Sequence, residues 1–359
     1  MNKLGDLTVV ILAKDRNEHL KPTIEYYNKL DIKLIVIHES IQPIDVDSSS
    51  NNITYVISNK NYAERCLVAQ KLIKTSYVIL STDDGRYLPH ALLNMVETLN
   101  QNRKISSVGG QALGIYLFGP ILCAAVSCQY NKNYSNLSEN LSLRISNHFK
   151  KAGRNVTHTS IYRMYRSDDF KRMLNLFYLN KEISTPYIME VTSEIFSLSI
   201  GGIEYLNDLL WVRNWVVQPI NNSAWNRSLN FTEWWHDSTY ELEKKQWEIN
   251  LTSELGLNDF NLILSQLLLN RKFEIQVSQV SQEKQGFKSL IQNYKFFIKK
   301  IINNNLMQKN YKSQLSKLNQ ANIYYNVREL KVAIDSVLLP IGISTKERIK
   351  KRLKYKLFV

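Results

Sequence analysis

The sequence predicts an α/β fold: a mostly parallel sheet flanked by helices and followed by a basic helical C-terminal extension. Three observations carry this. Through the first hundred residues, short apolar runs rich in Val and Ile alternate with amphipathic stretches of helical length, the pattern of βαβ units. The polar residues that close these runs, Lys14-Asp15-Arg16, His38-Glu39 and Asp83-Asp84, fall at strand carboxyl ends, where open α/β sheets bind ligands. The formal net charge of +14 is concentrated beyond Gly286, where sixteen Lys and Arg face three acids, leaving +1 for residues 1–285. Such an asymmetry marks two parts of the chain.

Residues 7–14 (LTVVILAK) read as a first strand, and residues 19–30 as a helix with Pro22 tolerated in its first turn. Residues 33–40 (KLIVIHES) form a second strand, SSSNN a loop, and residues 53–58 a strand or sheet edge. An amphipathic helix follows at 61–75, then a strand at 77–84 (YVILSTDD) and a helix at 89–102. The run 77–80 is apolar, as expected of a strand covered on both faces, yet it ends in Asp83 and Asp84. Asp and Gly favour turns, and Asp caps helices, so "STDDG" taken alone is also an ordinary turn. The other interpretation is a divalent cation held against a phosphate.

With 359 residues and 44% hydrophobic content, the chain can bury one large domain and carry an appendage. No run reaches the ~18–20 apolar residues of a spanning helix. The nearest, Leu113 to Cys128, is broken by Gly119 and Pro120 and reads as buried core. The N-terminal apolar run is too short for a secretory signal, and Cys66, Cys123 and Cys128 have neither metal-ligand nor redox spacing. A cytoplasmic protein is the expectation. Neither G-x-G-x-x-G nor a P-loop follows any strand, which argues against a dinucleotide-binding domain and a P-loop nucleotidase. A nucleotide bound here would need a metal to neutralise its phosphates, a task suited to Asp83 and Asp84.

Residues 188–198 show helical spacing (Ile188, Val191, Ile195, Leu198), with Glu190 and Glu194 on one face. Such a pair is ordinarily solvated, but a carboxylate entering the rim also suits a base for an acceptor hydroxyl. All six tryptophans lie between 211 and 247; Trp211 and Trp215 read as core packing at i and i+4. The polar stretch NFTEWWHDSTYE (230–241) reads as a loop whose Trp faces could stack on sugar rings and whose His236 could reach a metal, or as a plain loop with a docked Trp pair. Residues 344–359 read as a basic amphipathic helix, with Ile349, Leu353 and Leu357 on one stripe among seven Lys and Arg. It suits an anionic membrane surface, the body, or another subunit. Nucleic acid is not expected, because no recognised binding motif accompanies the charge.

Taken together, LTVVILAKDRNEHLKPTIEYYNKL, LIVIHES and YVILSTDDGRYLPHALLNMVETL resemble the nucleotide-sugar half of GT-A fold glycosyltransferases of the inverting, family-2-like kind, over about residues 7–110. The resemblance implies that Ala13, Lys14, Asp15 and Arg16 flank the nucleotide, Glu39 binds the base and Arg65 meets the nucleotide. It also implies that Asp84, with Asp83, holds Mn²⁺ or Mg²⁺, Asp83 alternatively meeting the ribose. Ser81 replaces the first acid of the family's Asp-x-Asp motif. The acceptor half departs from the family. There Glu190 is the candidate base, Glu194 the alternative, Asp168 or Asp169 next, and Arg213 a support for the leaving diphosphate; His236 is a further candidate metal ligand.

The expected organisation is a GT-A catalytic domain at 1–225 (donor half 7–110, acceptor half 111–225), a lid or connecting helical region at 226–285 and a basic helical extension at 286–359. The implied activity is inverting transfer from a nucleoside diphosphate sugar to a saccharide or lipid-linked acceptor hydroxyl, in cell-surface polysaccharide or glycolipid assembly. The protein would lie in the cytoplasm or on the inner membrane face, and an oligomer stays open. A metal-dependent nucleotidyltransferase and a non-enzymatic membrane-associated scaffold are the alternatives. The former ordinarily carries a Gly-rich basic first loop, which AKDRNEH lacks.

Overall fold

The computed structural model describes residues 4–45, 52–118, 121–127, 134–151, 160–185, 187–214, 231–257, 260–261, 263–265, 267–268 and 323–338. The fold is mixed α/β, a mostly parallel sheet flanked by helices. Strands β1 (Leu7–Lys14), β2 (Lys33–Glu39), β3 (Ile53–Ile57) and β4 (Tyr77–Ser81) lie in the spatial order β3-β2-β1-β4, all parallel. Helices α1 (Asn17–Tyr27), α2 (Tyr62–Leu72) and α3 (Pro89–Gln101) lie between or after them. β1 and β4 are apolar almost throughout because helices cover both faces of a parallel sheet. Asn61 and Glu64 close a reciprocal capping box that starts α2, and Pro89 starts α3.

The sheet continues through β9 (Met164–Arg166), β6 (Ile105–Phe118), β10 (Gly202–Asn214) and β5 (Gly85–Tyr87). β6 runs parallel to β10, while β9 and β5 are antiparallel to their neighbours. Two strands stand off this path: β7 (Ile121–Ser127) pairs with β6 and β8 (Tyr134–Asn136) with β10. Within the run 113–128, residues 113–118 and 121–127 therefore pair as antiparallel strands; Gly119, Pro120 and Cys128 lie outside the described residues. Trp211 packs in the core as expected, but on strand β10 rather than on a helix; Trp215 and Trp225 lie outside the described residues.

Helices α4 (Leu141–Lys151), α5 (Ser167–Leu179) and α6 (Tyr187–Ile200) cover one side of the sheet. The polar stretch after 230 is helical rather than a loop: α7 (Phe231–His236), a 3-10 turn and α8 (Glu241–Leu255). Trp234 and Trp247 are completely buried against Phe231, and Trp235 lies beside both. The indole N–H of Trp234 donates to Glu243 Oε2 at 2.9 Å, and that of Trp247 to Thr192 Oγ1 at 2.9 Å. The docked Trp pair is thus what forms, and the Trp234 face is spent on neighbours rather than offered to sugars.

Helix α9 (Val327–Leu338) lies within the expected basic extension, yet it packs on α1, β5 and β10. Tyr324 pairs with Asn207 and Leu209 through backbone hydrogen bonds of 2.9 and 2.8 Å. Leu330, Ala333, Ile334 and Val337 complete the core there. Residues 323–338 therefore belong to the body, in keeping with a segment where Arg328 and Lys331 balance Glu329 and Asp335. The rest of the extension, including 344–359, lies outside the described residues. Among the described residues no helix is long and apolar enough to cross a membrane.

Candidate functional site

The carboxyl ends of β1, β2 and β4 form one rim, as the parallel register requires. Asp83 and Asp84 leave β4 there, their side chains 10% and 6% exposed. The Arg16 guanidinium spans both: Nη1 donates to Asp83 Oδ1 at 3.0 Å and Nη2 to Asp84 Oδ2 at 3.1 Å. From the other side, Arg213 Nε of β10 stands 3.4 Å from Asp84 Oδ1. The Thr23 hydroxyl donates to the backbone carbonyl of Asp83, and Asn214 N–H to that of Asp84 at 3.0 Å. Burial, and then the neighbouring Asp84 charge, push the Asp83 carboxyl upward against Arg16 and Arg213. Burial would raise Asp84 too, but Arg213 and then Arg16 outweigh it and hold Asp84 below the ordinary range.

Arg16 reaches the pair because the chain turns left-handed after β1. Asp15 (φ 51°) and Arg16 (φ 55°) are consecutive non-glycine residues in that region, which costs on the order of 1–3 kcal/mol each. The turn is held by Asp15 N–H on the Glu39 carbonyl (2.8 Å), the His38 ring at 3.2 Å from the Asp15 carbonyl, and Asn17 Nδ2 on the Gln42 carbonyl (2.7 Å).

Next along the rim, Glu39 is 3.1 Å from Arg65 Nη2 and 2.5 Å from Lys14 Nζ. Arg65 is almost wholly buried and donates its other nitrogen to the Ala13 carbonyl. Ala13, Lys14, Glu39 and Arg65 thus form one cluster, and Arg16, Asp83, Asp84 and Arg213 a second beside it. Asp15 joins them through the backbone.

Glu190, in the first turn of α6, acts electrostatically on Tyr62 and Tyr162. Burial pushes Tyr162 up to about 12, and the same tyrosine feels Arg213, Glu190, Asp84 and Asp83. Its ring lies 4.7 Å from that of Trp211, over which Arg213 sits at 5.3 Å. Glu194 does not share this setting. It is fully buried, both oxygens take Arg163 Nη2 at 2.6 Å, and it contacts His148. A base must meet a substrate proton, so Glu194 is corrected to a structural ion pair. Asp168 is corrected likewise: it lies at the amino ends of the strands, beside Asp6, Lys74 and Arg166, facing away from the rim. Asp169 neighbours Arg166 and Arg172 there. His236 closes α7, whose Trp234 and Trp235 pack on α8.

Sequence reasoning missed Arg86. Its guanidinium, 1% exposed, donates to Ser336 Oγ at 2.8 Å and to the Gly85 carbonyl at 3.1 Å, and burial pulls it down to about 10. A cation two positions after the acidic pair was the available signal. Between them Gly85 is obligatory: a Cβ there would stand 2.1 Å from Trp211 Nε1.

The pair suits a hard divalent cation on one specific ground. Asp84 Oδ1 is buried and faces Arg213 Nε at 3.4 Å without full hydrogen-bond geometry, leaving its lone pairs incompletely used. Two carboxylates completed by substrate phosphates are a usual Mg²⁺ arrangement. Among the described residues, no group of three or more His, Cys, Asp or Glu could hold a metal ion, so the protein offers a cation at most this pair.

No protein-family model matches the chain, and no curated protein matches it. Among solved structures, the crystal structure of S. aureus TarS 1-349 is similar, at 13% identity and a TM-score of 0.50 over 95% of this chain and 87% of the other. At that identity the likeness speaks for architecture, and the architecture of this chain is GT-A-like.

Proposed function

We infer that this protein is a glycosyltransferase moving a sugar, with inversion, from a nucleoside diphosphate sugar to an acceptor hydroxyl. The observation that carries this is the convergence of Asp83 and Asp84 with Arg16 and Arg213 at the carboxyl rim of a GT-A-like sheet. A leaving nucleoside diphosphate needs positive charge, and Arg213, braced by Trp211, supplies it at a fixed place. Lys14, Glu39 and Arg65, joined to one another on the same rim, would read the nucleotide base and ribose. Glu190 takes the acceptor proton as the hydroxyl oxygen bonds to the anomeric carbon and the bond to the diphosphate oxygen breaks. Asp84, with Asp83, would hold Mn²⁺ or Mg²⁺, which when bound supplies Lewis-acid stabilisation of diphosphate charge. Among the described residues no third His, Cys, Asp or Glu joins this pair, so His236 is not part of the proposed metal site.

The acceptor class we favour is a saccharide or lipid-linked glycan of a cell-surface polymer, with the basic residues 344–359 against an anionic membrane surface. Loss of liposome binding on deleting Thr345 to Val359 supports that arrangement, and unchanged binding removes it.

The experiment for the activity is thermal unfolding with UDP, GDP, CDP or ADP, each with and without Mn²⁺. A ligand that binds only the folded state raises the melting temperature. A shift with one nucleoside diphosphate that needs Mn²⁺ and disappears in Asp84→Ala supports the proposal and names the donor class. No shift with any of the four sinks it and favours a scaffold.

A further inference from the structure

Arg16 occupies the place where a cation shared by Asp83 and Asp84 would bind. Arg16 and Arg213 pair with the two carboxylates and Arg86, two positions on, adds its charge to Asp83, so three guanidinium groups act on two carboxylates and the cluster already carries an excess positive charge. Arg86 is locked by Ser336 and the Gly85 carbonyl, and Arg213 lies over Trp211. Arg16 differs from both. Its side chain is 45% exposed, and its hydrogen bonds run to Asp83 and Asp84. A divalent cation arriving at this cluster meets Coulomb repulsion that is relieved most easily by moving Arg16.

We propose that Arg16 is a resident counter-ion of the Asp83–Asp84 pair, exchanged for the divalent cation only when an incoming diphosphate gives its guanidinium a new partner. The strained turn at Asp15 and Arg16 fits this assignment, because it aims the side chain at the carboxylates from the end of β1, within reach of a group bound on the same rim. Metal and nucleoside diphosphate are then thermodynamically linked: each must tighten the other by the same factor. The metal alone binds weakly, since it breaks two charge-assisted hydrogen bonds and offers Arg16 nothing in return. This exchange rests on the glycosyltransferase assignment above.

The test is titration of Mn²⁺, followed by the electron paramagnetic resonance signal of the free ion, with wild type, Arg16→Met and Arg16→Lys, each with and without UDP, GDP, CDP or ADP. Methionine keeps the volume and the backbone demand of the left-handed position while removing charge. The expected result is that Arg16→Met binds Mn²⁺ alone ~10-fold more tightly than wild type, and that nucleotide no longer enhances this binding as strongly. Arg16→Lys, which keeps the charge without the fork, falls between the two and serves if the methionine variant does not fold. A general loss of structure would weaken Mn²⁺ binding, the opposite direction. Mn²⁺ affinity that is nucleotide-dependent in wild type yet unchanged without nucleotide in both variants overturns the exchange and leaves the glycosyltransferase assignment standing. Absence of Mn²⁺ binding in every protein, with or without nucleotide, overturns both.

Discussion

Arg163 grips both oxygens of Glu194 at 2.6 Å, and neither side chain reaches water. Arg163 Nε also donates to the Tyr205 hydroxyl at 2.8 Å, tying helix α6 to strand β10. Because Glu190 lies one turn before Glu194 on the same helix, this buried pair sets the rotation at which α6 presents Glu190 toward Tyr162.

Glu194→Gln leaves a guanidinium without its counter-charge in a dry interior, which costs about 3–5 kcal/mol. Urea unfolding at neutral pH checks the loss. The pH dependence is specific. Burial raises the Glu194 carboxyl, but Arg163 and then His148 outweigh it and hold it at about 2, against 4.5 when unfolded. A depressed carboxyl contributes stability that is fully present above 4.5 and lost as pH falls toward 2. The urea midpoints of wild type and Glu194→Gln therefore converge across that window. A gap that stays constant would contradict the role of the charge.

Glu190→Gln keeps the shape of the side chain and removes the carboxylate proposed as the base. Transfer should fall ~10²–10⁴-fold, while the melting-temperature shift with nucleoside diphosphate and Mn²⁺ persists. Near-normal transfer would take Glu190 out of the mechanism.

Gly85→Ala puts a methyl group 2.1 Å from Trp211 Nε1 and 2.7 Å from Thr82 Oγ1. The ring must move, at about 1–3 kcal/mol, and Arg213 moves with it. The expected outcome is a lower melting temperature together with weaker nucleoside diphosphate binding, read by calorimetry. Full affinity in a destabilised variant would show that Trp211 does not brace Arg213.

Ser336→Ala removes the acceptor of Arg86 Nε and leaves a buried donor unmet, costing about 1–3 kcal/mol. Ser336→Thr retains the hydroxyl and should recover most of that loss in the same urea measurement.

The first four strands and their carboxyl rim were legible because their signals are local. Alternation of apolar runs marks β1 to β4, and each polar strand end names a rim residue, so Lys14, Arg16, Glu39, Asp83 and Asp84 could be gathered before any coordinates. What escaped depends on distant partners. Glu190 and Glu194 share a helical face, and only Arg163 and His148, 31 and 46 positions earlier, distinguish them. Trp211 had a helix-like neighbour spacing, yet pairing with β5 and β6 made its segment a strand. Charge averaged over 286–359 hid the balanced, amphipathic α9, because a net sum has no position.

The bond from Arg86 to Ser336 spans 250 residues. A chain emerging from its amino end completes β1 to β5 long before α9 exists, so Arg86 must wait, solvated or misplaced, until nearly the whole polypeptide is available. Contacts of such sequence separation form late, because the closing loop costs entropy before it is rewarded. Nascent fragments ending before residue 323 would thus carry both aspartates and both flanking arginines without the strut that seats β5. Seating of β5, and of Arg86 beside the aspartate pair, is therefore among the last steps open to the growing chain.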